Sequence, residues 1–183
     1  VSVRTTEPVV IESSILRGRT DLIRGDATVD LTVRNTTGTA VNPNVRGQEP
    51  GRFIALDGGF TNLVVEGNEM IGTGGIWVFG YSGDRTAADS VKVLRNRATN
   101  LDGRHSDGNG GWLTGEDDVE LAQFVQLDKV AGVPGMEIAW NQVVNLPGQS
   151  RVEDNINLYK SGGVPGSPTR IHHNIIDGAY PAD

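Results

Sequence analysis

The sequence predicts an all-β solenoid, and three observations carry that expectation. First, short apolar runs end repeatedly in Asn: Val65-Glu66-Gly67-Asn68, Val93-Leu94-Arg95-Asn96, Ile138-Ala139-Trp140-Asn141 and Ile171-His172-His173-Asn174. A looser copy is Leu31-Thr32-Val33-Arg34-Asn35, and Ile11-Glu12-Ser13-Ser14 fits a sixth with Ser in the Asn place. The steps between the four clear Asn residues are 28, 45 and 33 residues, in the range of stacked repeats. Second, apolar and polar residues alternate with period two, as in Val29, Leu31 and Val33, or Val91 and Val93. Third, no persuasive amphipathic helix is present; residues 116–124 come closest and are short. Aromatic content of 5% is low for one thick globular core, and 25 glycines suit a chain that turns often.

A second strand set falls between the Asn-terminated runs: Phe53-Ile54-Ala55-Leu56, Gly75-Ile76-Trp77-Val78, Phe124-Val125-Gln126-Leu127 and Asn155-Ile156-Asn157-Leu158, with Leu22-Ile23 as its earliest member. The order of one repeat is therefore strand, Asn turn, short strand, loop, strand, loop. The longest insertion is 101–122, and others are 37–52, 80–90 and 160–169. Asn tolerates the left-handed backbone a sharp corner needs, and stacked amides can bond to the copies above and below. Asn68, Asn96, Asn141 and Asn174 accordingly read as structural corners.

These spaced Asn residues and strand runs resemble the right-handed parallel β-helix of the pectin-lyase-like superfamily, over roughly residues 9–178. The segments Asp102-Gly103-Arg104, Val152-Glu153-Asp154-Asn155 and Gly178-Ala179-Tyr180-Pro181 are also similar to uncharacterised bacterial β-helix proteins. The expectation is a single β-helix domain over 1–183, of about five to six coils with long loop insertions. No polar cap follows Asn174, so the expectation is a fragment of a longer protein, or an end covered by another chain.

Composition bounds the function. The absence of Cys excludes disulfides and thiolate metal sites. No run of 18 apolar residues exists, so no membrane span is expected. A formal net charge of -7 without a basic stripe argues against nucleic acid. The start at Val1 fits a processed secreted chain or an excised fragment.

Alternation in the second strand set sends Ile54, Ile76, Val125 and Ile156 inward and leaves two outward columns. One reads Ala55, Trp77, Gln126, Asn157; the next reads Asp57, Phe79, Asp128, Tyr159. Aromatic rings beside amides suit a sugar polymer, because rings cover apolar sugar faces while amides take hydroxyls. The rival expectation is that these rings pack beneath the 101–122 loop. Asp57 and Asp128 stand two coils apart, roughly 10 Å, within flexing reach of the roughly 6.5–9.5 Å of an inverting glycosidase pair. The resemblance implies a cleft on such a sheet face, and in its lyases a Lys or Arg base beside a carboxylate-bound cation; Lys129 and Lys160, on adjacent coils, hold that place. Asp107 and Asn109 imitate two positions of a calcium loop and Asp117 and Asp118 follow, so Ca2+ is the metal to expect if any binds. His105 is the candidate acid–base group, with Arg104 flanking the aromatic face. His172 and His173, neighbours on a strand, are expected on opposite faces.

The expected function is carbohydrate-active: a secreted or cell-envelope protein engaging a polysaccharide through Trp77, Phe79, Gln126, Asn157 and Tyr159, as lyase or hydrolase if it is an enzyme. The alternative is a non-catalytic module, an adhesin, stalk or carbohydrate-binding segment.

Overall fold

The computed structural model describes residues 1–115 and 121–179. The chain winds through six coils of three strands each. Coil one holds β1 (Ser2–Val3), β2 (Pro8–Glu12) and β3 (Ile15–Gly18); coil two holds β4 (Ile23–Gly25), β5 (Val29–Arg34) and β6 (Thr37–Ala40). Coil three holds β7 (Ile54–Leu56), β8 (Phe60–Glu66) and β9 (Glu69–Ile71); coil four holds β10 (Gly75–Phe79), β11 (Val91–Leu94) and β12 (Arg97–Thr99). Coil five holds β13 (Gln123–Asp128), β14 (Glu137–Ala139) and β15 (Gln142–Val144); coil six holds β16 (Ile156–Tyr159), β17 (Arg170–His172) and β18 (Ile175–Asp177). The first strands of all coils form one sheet, the second strands another and the third strands another, six strands in each. Every pairing between coils is parallel. The result is a right-handed parallel β-helix, the hand that parallel crossovers adopt. No helix occurs among the described residues.

The core is a set of stacked columns. Ile11, Val33, Val65, Val93, Ile138 and Ile171 share one register line in the second sheet, and the middle four are fully buried. Phe53 just before β7, Phe60 at the start of β8 and Phe124 in β13 are also fully buried. Each such side chain contributes about 1.5–3 kcal/mol relative to exposure. Gly38 stands at an inward position because Phe53 leans across it: a Cβ there would lie 2.4 Å from the Phe53 ring.

The corner from second to third sheet is two residues in every coil, and it carries the ladder. Ser14, Thr36, Asn68, Asn96, Asn141 and Asn174 occupy its second position. The backbone N–H of each donates to the side-chain oxygen of the next, at 3.4 Å from Ser14 to Thr36 and 2.9–3.0 Å thereafter. The amide nitrogens of Asn68, Asn96 and Asn141 donate down the same line, and each also caps a carbonyl of the coil above.

The ladder is as expected, but the left-handed backbone is not where the sequence suggested. It falls on the preceding residue: Asn35, Gly67, Arg95, Trp140 and His173 have φ of +50°, +65°, +55°, +60° and +53°, whereas Asn68, Asn96, Asn141 and Asn174 do not. A ladder side chain must point inward to meet its neighbours, so the outward-pointing residue before it absorbs the turn. In the looser copy the rung is Thr36, not Asn35. Two boundaries also shift: Thr37–Ala40 is a strand within the expected 37–52 loop, and β1 precedes the Leu22-Ile23 strand in its sheet. The long loops all leave the other two corners, so the second-to-third corner stays tight while the first sheet is flanked by insertions at both ends.

Candidate functional site

The outward face of the first sheet forms as its alternation dictates. Register pairs Arg24, Ala55, Trp77, Gln126 and Asn157 in one line, and Phe79, Asp128 and Tyr159 in the next. Their inward neighbours Ile54, Leu56, Ile76, Val78, Val125 and Leu127 are fully buried. Trp77, Phe79, Gln126 and Asn157 are half-buried, and Tyr159 is 49% exposed. The Trp77 and Phe79 rings lie 6.4 Å apart at 31° and form one slanted apolar shelf. Asn157 donates to Asp154 at 3.0 Å.

Cations decorate the rings. The Arg52 guanidinium stands 6.0 Å from the Trp77 ring centre and donates to the Gly74 and Leu121 carbonyls at 3.2 and 2.8 Å. Arg52 therefore ties Trp77 to the end of the long insertion. This is the covered-face expectation in part: one cation stands over the ring, and Trp77 is half-buried. The Lys129 ammonium lies 4.8 Å from the Phe79 ring centre and that of Lys160 lies 5.0 Å from the Tyr159 ring centre. Both lysines sit at left-handed corners, φ +56° and +49°, with the Lys129 N–H donating to the Tyr159 carbonyl at 3.0 Å.

The two candidate carboxylates have different surroundings. Asp57 accepts from Arg24 at 2.6 Å, and Arg24 also meets Asp21 and Asp26 at 3.3 and 2.8 Å. The Asp26 hydrogen bond, then the Asp57 charge, raise the Arg24 pKa, and Arg24 and Arg4 together hold Asp26 below the usual carboxylate range. Asp57 thus belongs to a charge cluster near the first coils. Asp128 stands two coils further on, between Phe79 and Tyr159, and its Oδ1 is shielded from solvent with no hydrogen-bond partner.

Arg104 and His105 stand apart from these columns. The 101–113 excursion folds on itself through the Ser106 and Trp112 bridge, with Leu113 N–H donating to the His105 carbonyl at 2.8 Å. Arg104 grips buried Asp102 through Nε and Nη2 at 2.7–3.1 Å, donates to Gly148 O at 2.9 Å, and covers the Trp112 ring at 5.0 Å. Burial pushes the Asp102 carboxyl up, and the Arg104 hydrogen bonds only partly offset that. The residue that flanks Trp77 is Arg52 rather than Arg104. Asp107 spends its Oδ1 on the backbone N–H groups of Asn109 and Gly111, at 2.7 and 2.9 Å, which closes its own loop. Asp117 and Asp118 lie outside the described residues. Among the described residues no group of three or more His, Cys, Asp and Glu side chains converges for a metal.

One cluster escaped sequence reasoning. His172 and His173 do not point to opposite faces: their Nδ1 atoms lie 2.7 Å apart. Strand alternation ends at His172, and the left-handed turn at His173 swings the second ring back beside the first. His172 Nε2 meets Glu137 at 2.8 Å, and the His173 ring stacks on Trp140 at 3.9 Å and 13°. With His172 donating from Nε2 to Glu137, its Nδ1 accepts from His173 Nδ1–H. The His172 hydrogen bond, assisted by the Lys92 and Arg170 charges, holds the Glu137 carboxyl below its usual range. The signal available in the sequence was position: residues 140 and 173 each precede a ladder Asn, the place that Gly67 fills in coil three and Arg95 in coil four.

No protein-family model, no curated protein and no solved structure matches the chain.

Proposed function

We propose that the chain is a carbohydrate-binding β-helix module that engages a polysaccharide on the outward face of its first sheet. The observation behind this reading is the register line Trp77, Gln126, Asn157 beside Phe79, Asp128, Tyr159. A strand spacing of about 4.8 Å offers a polymer a repeating pattern of ring faces and amides. The Gln126 side chain has no hydrogen-bond partner among the described residues, so its amide is open to a sugar hydroxyl. Membership of the pectin-lyase-like superfamily and a secreted or envelope setting, where such polymers are met, form part of the same proposal. Fold analogy supplies no activity by itself.

A lyase or hydrolase is the second reading, favoured by one observation: the water-shielded, unpartnered Oδ1 of Asp128, between Phe79 and Tyr159 in the outward column. Against a carboxylate pair stands the engagement of Asp57 by Arg24. A panel of neutral and uronate polysaccharides, scored for retention and for products with and without calcium, separates the readings. Retention without products supports the binding module. Unsaturated uronate absorbance identifies a lyase, and new reducing ends without it a hydrolase. A folded protein that retains no polymer refutes both.

A further inference from the structure

We propose that the paired imidazoles of His172 and His173 form a binding site for cuprous ion, held linearly between their two Nδ1 atoms. This stands independently of the glycan reading, because the pair lies at the corner between the second and third sheets. The Nδ1 atoms are 2.7 Å apart, the ring centres 5.0 Å apart and the ring planes at 84°. The separation of the centres is close to the Nδ1 contact plus the two ring radii, so the nitrogens face each other head on. His172 Nε2 is occupied by Glu137 at 2.8 Å, which leaves the His172 lone pair on Nδ1. His173 Nε2 has no partner among the described residues. Its ring proton can therefore move from Nδ1 to Nε2, where water accepts its hydrogen bond. That tautomer turns two lone pairs on one point with no net loss of a proton, and the ion takes the place of the shared hydrogen.

Ligand number and charge select the ion. Only two donors converge, since no group of three or more His, Cys, Asp and Glu side chains gathers among the described residues. Two opposed imidazole nitrogens suit the linear coordination of a closed-shell monovalent ion, whereas zinc asks for four ligands in a tetrahedron. Lys92 and Arg170 already approach Glu137 at 3.8 and 3.9 Å, so one added positive charge meets less repulsion than two. The softer sulfur ligands do not compete: the chain has no Cys, and its two methionines, Met70 and Met136, are buried in the core. The supporting shell is already built. The Glu137 carboxylate fixes the tautomer and orientation of His172, as carboxylates behind metal-bound imidazoles do. The left-handed turn at His173, φ +53°, brings the second ring to the first. That ring lies flat on the Trp140 indole at 3.9 Å and 13°. A metal needs more room than a proton, and a stacked ring can draw back across the indole face while keeping its contact.

Anaerobic titration with cuprous ion, in competition with a coloured cuprous chelator, tests this. The parent chain is expected to withdraw one equivalent, and X-ray absorption at the copper edge should show two nitrogen ligands. His172→Asn and His173→Asn should each abolish the withdrawal. Glu137→Gln should weaken it about 10–100-fold, through the orientation of His172. His105→Asn, which removes the third histidine, should leave it unchanged. A parent that takes up no copper overturns the proposal. So does uptake that His173→Asn retains while its circular dichroism matches the parent, which would show adventitious binding elsewhere. Zinc bound more tightly than cuprous ion, or a copper ion with three or more protein ligands, overturns it as well.

Discussion

Asn141→Leu removes one rung near the middle of the ladder. The Asn141 side chain accepts from Asn96 N and Nδ2 at 2.9 and 3.0 Å, and donates to the Val93 carbonyl and Asn174 Oδ1, each at 2.9 Å. Four hydrogen bonds at about 0.5–1.5 kcal/mol each sum to about 2–6 kcal/mol. The buried Asn96 N–H then has no acceptor, which places the loss in the upper part of that range. No backbone strain adds to it, because the left-handed residue is Trp140 and not Asn141. For a chain of this size about 1 kcal/mol shifts Tm by roughly 2–4 °C, so a fall of about 10–20 °C is expected for a loss of about 5 kcal/mol. Thermal unfolding by circular dichroism gives the shift. Amide hydrogen exchange localises it, with Asn68 and Asn96 losing protection because each coil rests on its neighbours. A variant that melts within about 2 °C of the parent would refute the ladder energetics.

Three further outcomes follow from the same geometry. Asp102→Ala leaves the Arg104 charge without its partner in a mostly buried place, so stability should fall by about 3–5 kcal/mol in denaturant titration at neutral pH; a loss below about 1 kcal/mol would mean the pair is solvated. Glu137 titrates lower in the folded chain than when unfolded, so its contribution is present at neutral pH and fades as pH falls through its folded value. The Tm gap between the parent and Glu137→Gln should therefore close on acidification, and a gap independent of pH would contradict the His172 contact. Tyr159→Ala should weaken polysaccharide retention while leaving Tm nearly unchanged, since the ring is 49% exposed; unfolding would show that it packs the last coil.

The fold was legible because its causes are local and periodic. Alternation assigned the inward residues of β7, β10, β13 and β16, and the two outward columns followed from counting alone. The Asn rungs were legible for the same reason. What the sequence did not convey depends on a single dihedral or a distant partner. The left-handed residue lies one place before each rung, and that offset brings His172 and His173 together where alternation separates them. Arg52 over Trp77 and Arg24 on Asp57 are contacts that coil stacking or loop closure creates, and no spacing in the chain announces them. Trp112 and Trp140 received no role from the sequence, yet each carries its own cluster.

The location of the binding face is the central claim, and hydroxyl-radical footprinting read by mass spectrometry tests it directly. The protein is labelled alone and with the polysaccharide that retains it best. The expected result is protection of Trp77, Phe79 and Tyr159 on the first sheet, with Trp140 on the opposite corner and Trp112 in its loop oxidised as before. Protection of Trp112 or Trp140 with Trp77 and Tyr159 unchanged would contradict the account and move the site off the first sheet.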